Sequence, residues 1–363
     1  LAGAFATVAK ATGGVDATVA LGLSLIPGWC LLPGLFLISA FIATAMGTSM
    51  GTIGAVAPVA LGVAHAAGID PMLMAGTILS GAMFGDNLSI ISDTTIAATR
   101  SQGCEMKDKF RENIKIAAPA AVLVILLYLV LGSTGEAPAP TAEADLLKVA
   151  PYLLILVLAL SGMNVFMVLG LGILAAGGVG LLGSYSLGQF SKDIYQGFTS
   201  MQEIFLLSML IGGLGALMER QGGLAWISER IAALIARFTR HHDGEQNEKA
   251  AELGIAGVVS LTNLCTANNT VAIIVASKVA RDLADHHGVT PRRAASMLDI
   301  FSCVVQGLIP WGAQALLLGS IFALSPILVV SMSFYPMALA LAAIVAVFLK
   351  HQMGAVAPAP HRS

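Results

Sequence analysis

Charge is scarce in this sequence of 363 residues, of which only 11% are Asp, Glu, Lys or Arg. Soluble domains carry about 25%, and a soluble chain with so little charge would lack the polar surface needed to cover its core. The composition therefore excludes an ordinary soluble enzyme and a disordered scaffold. The 19 basic residues against 21 acidic ones give no basic face, so we expect no nucleic-acid partner.

Cysteine is also scarce, and several reaction motifs are missing. The four cysteines lie far apart and form no C-x-x-C pair, so neither a disulfide framework nor a zinc site is predicted. The sequence contains no H-E-x-x-H zinc motif and no P-loop, which disfavours a metalloprotease and an ATP-driven pump. We expect a protein that is not an enzyme and that has no cofactor.

Long apolar runs are what the sequence has instead. Hydrophobic residues make up 56% of the chain, and the mean hydropathy is +0.84. A transmembrane helix needs about 20 predominantly apolar residues. Uninterrupted runs of about that length lie at 114–132, 149–169, 170–188, 201–218 and 326–349. The predicted fold class is an all-α polytopic membrane protein whose surroundings are the lipid bilayer.

Four further apolar stretches are interrupted by Gly, Ser, Thr, Asn or Asp. They lie at 31–67, 72–99, 250–285 and 294–324. The interruptions fall at 47–52 in the first stretch, at 85–89 and 92–95 in the second, at 262–263 and 266–270 in the third, and between 306 and 314 in the fourth. The first and third stretches each precede a Gly-x-x-Pro loop, and we interpret each as a re-entrant helical hairpin. The second and fourth follow that loop, and we interpret each as a discontinuous transmembrane helix. Hairpins and broken helices of this kind are typical of secondary transporters.

The two hairpin–loop–helix segments are related by a nearly constant offset in residue number. Gly68-Ile69-Asp70-Pro71 corresponds to Gly288-Val289-Thr290-Pro291. The first loop has no Lys or Arg, whereas basic residues flank the second, so the positive-inside rule places the two loops on opposite sides of the membrane. The apolar stretches between the two loops correspond to an odd number of membrane crossings, so the second segment has the opposite orientation to the first. The sequence therefore predicts two inverted repeats.

We expect the first repeat to occupy residues 1–133 and the second to occupy residues 134–363. The chain starts at Leu1, and its first residues have the pattern of the end of a spanning helix, so we expect N-terminal helices to be missing from the first repeat. The second repeat should include an interfacial helix at 223–240. The segment 100–115 contains five Lys or Arg residues, Lys109 among them, and we interpret it as a charged cytoplasmic loop. Basic residues such as Lys350 place the C-terminus in the cytoplasm as well.

The interruptions are where we expect the chemistry. Broken backbone is tolerated at membrane depth only where protein or water covers it, and there it offers oxygens to an ion or a substrate. Hydroxyl and amide oxygens suit a hard cation. The candidate binding residues on this ground are Thr48, Ser49, Asn263, Thr266, Asn268, Asn269, Thr270, Gln306 and Gln314.

Asp86 and Asp93 are the acidic residues in the first broken helix. An ionised Asp near the bilayer centre costs about 2.5–3.5 kcal/mol on insertion scales, so we interpret both as functional. Asp86 would exchange a proton for a cation, and Asp93 or its hydroxyl neighbours would complete the shell. The alternative for Asp93 is that it caps a half-helix. For Asp299, in the second broken helix, the sequence leaves two interpretations: a functional residue, or a residue near the membrane interface.

The run from Gly85 to Arg100, GDNLSIISDTTIAATR, resembles the NhaC family of sodium/proton antiporters, which carries G-D-x-x-S-x-x-S-D-T-T. Every fixed position is present. The resemblance implies a member of the ion-transporter superfamily with two inverted repeats. The motif match adds the following candidate site residues, together with Asn87 at a variable position: Asp86, Ser89, Ser92, Asp93, Thr94 and Thr95.

The resemblance implies a secondary transporter that exchanges Na⁺ for H⁺ by alternating access in a bacterial or archaeal cytoplasmic membrane. Na⁺ and H⁺ would be the transported ions, with Na⁺ held by Asp86 and Asp93. The same family includes malate/lactate exchangers and amino-acid transporters, so a Na⁺- or H⁺-coupled organic-acid or amino-acid transporter is the alternative. A homodimer is common for such folds, but no surface in this sequence demands one.

Overall fold

The computed structural model describes residues 1–89, 92–132, 145–161, 163–223 and 248–354, together with the single positions 226, 230 and 233. Within these residues the chain forms helices joined by short turns, and no strand is found. The helices are α1 (Ala2–Ala11), α2 (Gly14–Leu25), α3 (Leu31–Met46), α4 (Ser49–Ala67), α5 (Pro71–Leu88), α6 (Asp93–Gln102), α7 (Met106–Gly132), α8 (Leu146–Leu160), α9 (Val165–Leu181), α10 (Leu187–Ser200), α11 (Gln202–Arg220), α12 (Glu248–Thr266), α13 (Asn269–His287), α14 (Pro291–Gln306), α15 (Ala313–Phe322), α16 (Pro326–Ser331) and α17 (Phe334–Gly354).

The predicted helical membrane class is confirmed. Three apolar segments in the described part of the chain are long enough to cross a bilayer by length and composition, namely Gly28–Met46, Ser49–Ala67 and Met106–Gly132. Other apolar helices, among them α2, α9 and α15, are shorter. The interior is a single apolar cluster to which helices from both halves of the chain contribute.

The offset between the two segments recurs in the helix boundaries. α4 covers 49–67 and α13 covers 269–287, while α6 covers 93–102 and α15 covers 313–322. Residues with positive φ recur at the same spacing, in the pairs Gly47 and Ala267, Gly68 and Gly288, and Gly103 and Ala323. The two segments of the chain therefore share one succession of helices and turns.

The interruptions are shorter than the sequence patterns predict, because several polar residues stay inside helices. The first hairpin turns at Gly47-Thr48, with Ser49 already in α4. The second turns at Ala267-Asn268, so the predicted interruption at Thr262-Asn263 is wrong: both side chains are buried within α12. Helix α5 ends at Leu88 with Ser89 as its cap, so only the last residue of the predicted break at 85–89 lies outside the helix.

Two predicted spans are wrong in their boundaries. The predicted division at 169/170 falls inside α9, and the chain turns instead near Asn164, whose side chain accepts a hydrogen bond from the Phe166 amide and caps that helix. The predicted span 326–349 is divided between α16 and α17. Most of the predicted interfacial helix at 223–240 lies outside the described residues.

The basic segment 100–115 is helical for most of its length. α7 begins at Met106, ahead of the predicted span, and its buried stripe starts at Lys109 and continues through Asn113, Ile116 and Ala120. Lys109 is therefore not a solvated loop residue, as the charge pattern had indicated. It is completely buried.

Glycines allow α5 to pack closely along α3. A Cβ added at Gly85 would lie 2.2 Å from the Ala40 carbonyl oxygen, and one at Gly81 would lie 2.4 Å from the Phe36 carbonyl oxygen. Only a residue without a side chain permits backbones to approach in this way. The contact fixes the C-terminal end of α5, where Asp86 and Asn87 lie, against the core.

Candidate functional site

The two hairpin turns and the two broken helices meet at one polar cavity of about 260 Å³. Helix α4 of the first hairpin packs against α15, and helix α13 of the second hairpin packs against α6. The described lining residues are Gly47, Thr48, Ser49, Met50, Asp86, Asp93, Thr94, Ala267, Asn268, Asn269, Thr270, Gln306, Ala313 and Gln314. Most of the candidate residues chosen from the sequence are thus brought together.

Asp86 lies at the bottom of this cavity and is only 5% exposed. Its Oδ2 atom accepts a hydrogen bond from the Ser49 hydroxyl at 3.0 Å. The Gln314 amide donates to the same hydroxyl oxygen at 3.1 Å, and the Gln306 amide donates to the Gln314 side-chain oxygen at 2.7 Å. A chain of four side chains therefore links the carboxylate of the first broken helix to the second.

Asp93 differs from Asp86 in its surroundings, although both line the cavity. Asp93 is exposed and is the first residue of α6. The cap of that helix is Ser92, whose hydroxyl accepts a hydrogen bond from the Thr95 amide, so the cap that the sequence placed at Asp93 belongs to its neighbour. A carboxylate in the first turn interacts favourably with the helix dipole.

A second polar cluster lies on the other side of α5. The Lys109 ammonium is 2.8 Å from Asp299 Oδ2, and both side chains are completely buried. Asn87 Nδ2 donates to the same carboxylate oxygen at 3.1 Å, and Asn113 Nδ2 donates to it at 2.7 Å. The Lys109 ammonium also donates to Thr95 Oγ1 at 2.7 Å. Asn87 and Thr95, two of the sequence candidates, therefore belong to this cluster and are not among the described residues that line the cavity.

The remaining candidates stabilise the turns around the cavity. Ser89 accepts a hydrogen bond from Thr95 Oγ1 through its carbonyl. Asn263 donates from Nδ2 to the Ser302 carbonyl, and the Thr266 hydroxyl lies within hydrogen-bond distance of the Thr262 and Asn268 carbonyls. Within the described structure, Asn263 joins α12 to α14, and Thr266 stabilises the turn of the second hairpin.

Lys109 and Asn113 were not predicted from the sequence to be site residues, and the role of Asp299 was left open. Lys109 was assigned to a charged loop, and Asp299 was left undecided. The missed signal is the helical spacing of Lys109 and Asn113, one turn apart on the stripe that continues as the buried face of α7. Residues with this spacing share one face of a helix, so the burial of Lys109 was detectable from the sequence, although its pairing with Asp299 was not.

The cavity carries negative charge without a counterion. Its described lining includes Asp86 and Asp93 and no Lys, Arg or His. Carboxylate, hydroxyl and amide oxygens are the ligands that hard cations prefer. Such a site attracts a cation or a proton and repels an organic anion.

The letters Gly47-Thr48-Ser49-Met50-Gly51 also fit the G-x-S-x-G pattern of a hydrolase nucleophile. That motif joins a strand to a helix, whereas this segment joins α3 to α4. No His lies among the described residues of the cavity to act as the base. The hydroxyl of Ser49 instead donates to Asp86, so the segment is part of the polar cavity and not a nucleophile elbow.

Comparisons with known proteins identify the family of this chain. A family model described as "Na+/H+ antiporter family" matches residues 1–133 and 144–350. The Na(+)/H(+) antiporter NhaC of Bacillus subtilis (strain 168) is 26% identical over 346 residues, which cover 85% of this chain and 74% of that protein. The arginine/ornithine antiporter ArcD of Halobacterium salinarum is 26% identical, over 86% of this chain and 73% of that protein.

A third relative is named for a different exchange. The malate-2H(+)/Na(+)-lactate antiporter of Bacillus subtilis (strain 168) is 23% identical over 341 residues, which cover 87% of this chain and 72% of that protein. The family model matches far more than half of the chain. The chain belongs to the Na⁺/H⁺ antiporter family.

Proposed function

We propose that this protein exchanges Na⁺ for H⁺ across the cytoplasmic membrane, with both ions passing through the cavity at Asp86. The observation that carries the proposal is the buried carboxylate in a cavity whose described lining has two acidic side chains and no basic one. A buried carboxylate is costly when it is ionised and unpaired. It is therefore stable with either a proton or a cation bound, and binding of one displaces the other.

The surroundings of Asp86 suit both occupants. When Na⁺ is bound, the Ser49 hydroxyl oxygen and the side-chain oxygens of the Asn268–Thr270 turn are neutral ligands that the lining offers. When the proton is bound, Ser49 is free to reorient, because a hydroxyl both donates and accepts. Asp93, at the exposed rim, gives cations a favourable electrostatic path into the cavity.

Two inverted repeats would supply alternating access to this cavity. The recurrence of helix boundaries at a constant offset supports a repeat, and the contrast of charge between the two loops supports its inversion. On this proposal the repeats occupy 1–133 and 134–363, each hairpin enters and leaves on one side of the membrane, and the C-terminus is cytoplasmic. The cavity lies where the two repeats meet, so that rocking one against the other opens it to each side in turn.

The activity is tested with the full-length protein in everted vesicles that have an acidic interior. We expect Na⁺ or Li⁺ alone to raise the internal pH, because each cation that enters displaces a proton. K⁺, malate, lactate, arginine and ornithine are added one at a time for comparison. A response that requires arginine or ornithine would assign the cavity to a basic amino acid, whose positive charge the two carboxylates also accommodate, and would contradict Na⁺/H⁺ exchange.

The inverted topology is tested by labelling two equivalent positions. Ala66 and His286 are both exposed, correspond under the repeat and occupy the last turns of α4 and α13. In a background without the four native cysteines, we expect Ala66→Cys to react with an impermeant maleimide from outside the cell, and His286→Cys to react only after the membrane is opened. Labelling of both cysteines from the same side would show that the repeats are not inverted.

A further inference from the structure

The ammonium of Lys109 occupies a cage of oxygens that comes from three helices. It lies 2.8 Å from Asp299 Oδ2 in α14, 3.0 Å from the Asn87 carbonyl oxygen in α5 and 2.7 Å from Thr95 Oγ1 in α6. A lysine ammonium has three N–H donors and no acceptor. Each donor therefore has an acceptor, and the head group is surrounded as a free monovalent cation would be.

Further oxygens around this cage lack a donor in the described structure. Asp299 Oδ1, Asn87 Oδ1 and Asn113 Oδ1 are buried and make no hydrogen bond, although the other terminal atoms of the same three side chains bond one another. Buried polar atoms are normally paired, and an unpaired one requires an explanation such as an ion. An excess of acceptors around one carboxylate is the composition of a cation site.

We propose that Asp299, with the Asn87 carbonyl and the Thr95 hydroxyl, forms a second monovalent-cation site, which Lys109 fills with its own ammonium. The site is distinct from the cavity, because neither Lys109 nor Asp299 is among the residues that line it. The cage encloses an ammonium, which is close to K⁺ in size. A vacated cage therefore prefers NH₄⁺ and K⁺ to the smaller Na⁺ and Li⁺.

The tethered ammonium has a consequence for transport, and this consequence rests on the proposed function. Two carboxylates lie at the end of α5. Asp86 belongs to that helix and accepts a hydrogen bond from Ser49, and Asp299 of α14 accepts one from the next residue, Asn87. Because Lys109 already neutralises Asp299, only Asp86 is left for a cation from solution. Lys109 thereby limits each chain to one transported cation and connects the first broken helix to α14 in the other segment.

The cage itself is tested by thermal unfolding of the full-length protein in detergent. Lys109→Met keeps most of the apolar stem and removes the charge, so Asp299 is left unpaired. We expect a lower Tm than that of the wild type in N-methylglucamine chloride. We also expect the Tm to recover by about 3 °C for each tenfold increase in KCl or NH₄Cl, because a cation that binds only the folded state stabilises it.

Three matched variants make the result specific. Lys115→Met removes a lysine from the same helix whose side chain is 66% exposed, and its Tm should respond to KCl as the wild type does. Lys109→Met combined with Asp299→Asn removes both charges and should lose the KCl response. If Lys109→Met does not fold in any salt, Lys109→Gln, which keeps two N–H donors, takes its place with the same expectations.

A second cation site is disproved if KCl raises the Tm of Lys109→Met no more than that of the wild type. It is also disproved if KCl still raises the Tm of Lys109→Met combined with Asp299→Asn. A preference for Li⁺ or Na⁺ over K⁺ would also contradict it. The proposed function fails in a different experiment, since loss of Na⁺-dependent proton movement in the wild type would leave the K⁺ response of Lys109→Met unaffected. Counting bound ⁸⁶Rb⁺, a K⁺ analogue, should give one more ion per chain in Lys109→Met than in the wild type.

Discussion

Replacing Asp86 with Asn should reduce Na⁺-dependent proton movement in everted vesicles to the background of vesicles without the protein. Asn has almost the same shape as Asp, and its side-chain oxygen still accepts the hydrogen bond that Ser49 donates at 3.0 Å. The variant therefore keeps the local structure and loses only the charge that a proton and a cation share in turn. Asp93 cannot take over this role, because it is exposed at the start of α6.

Two other Asp→Asn variants show whether the effect is specific to Asp86. Asp285 is exposed on α13 and lies outside the described lining of the cavity, so Asp285→Asn should transport at the wild-type rate. Asp93→Asn should raise the Na⁺ concentration needed for half-maximal exchange and change the maximal rate much less, because it removes only the attraction at the rim. Wild-type exchange by Asp86→Asn, with the protein present in the membrane, would disprove the central role of this carboxylate.

The fold class and the cavity were predictable from the sequence because both depend on local patterns. Long apolar runs predict membrane helices, and polar residues inside such runs predict the places where backbone is broken and function is located. Asp86, Ser49 and the Asn268–Thr270 turn were chosen on this ground, and the structure gathers them around one cavity. The offset between the two segments, seen in only a few letters, is repeated in the helix boundaries.

The exact helix ends were less predictable, because they depend on tertiary contacts. Asn263 looked like an interruption, yet its amide donates to the Ser302 carbonyl of the neighbouring helix and α12 continues past it. Gly85 also looked like the start of a break, because glycine is unfavourable inside a helix. In the structure it allows a close contact between α5 and α3.

The second cluster was unpredictable from charge counting alone. The positive-inside rule counts Lys and Arg in loops, and by that count Lys109 belonged to a solvated segment. Its partner Asp299 lies far along the chain, in the second segment, in a stretch with no other acidic residue nearby. Only the packing of α7 against α14 shows that the two charges neutralise each other. Long-range pairing of this kind needs the three-dimensional structure.

Replacing Gly85 with Ala should sharply destabilise the protein and impair transport together. An added Cβ would lie 2.2 Å from the Ala40 carbonyl oxygen, 2.5 Å from the Ala43 Cβ and 2.7 Å from the Thr44 amide nitrogen. Two of these three atoms are backbone, so α3 and α5 must move apart. Inserting atoms into a packed core typically costs about 1–3 kcal/mol, and we expect the upper end of that range because no flexible side chain can yield.

Gly170→Ala provides the matched control for this substitution. Gly170 also lies within a helix, α9, but a Cβ added there meets no atom within 4 Å. That variant should unfold at the wild-type temperature or slightly above it, because Ala is favoured over Gly in a helix by roughly 1 kcal/mol. The comparison separates the intrinsic effect of the substitution from the loss of close packing, and thermal unfolding in detergent measures both variants.

The functional consequence of Gly85→Ala follows from its position directly before Asp86. Moving α5 away from α3 also moves the Asp86 carboxylate away from Ser49 on α4, and small misplacements of a reacting group are costly. We therefore expect Gly85→Ala to lower the rate of exchange even in the fraction of protein that folds, whereas Gly170→Ala retains it. Equal stability and equal exchange in the two variants would show that the close approach of α5 to α3 does not position the site.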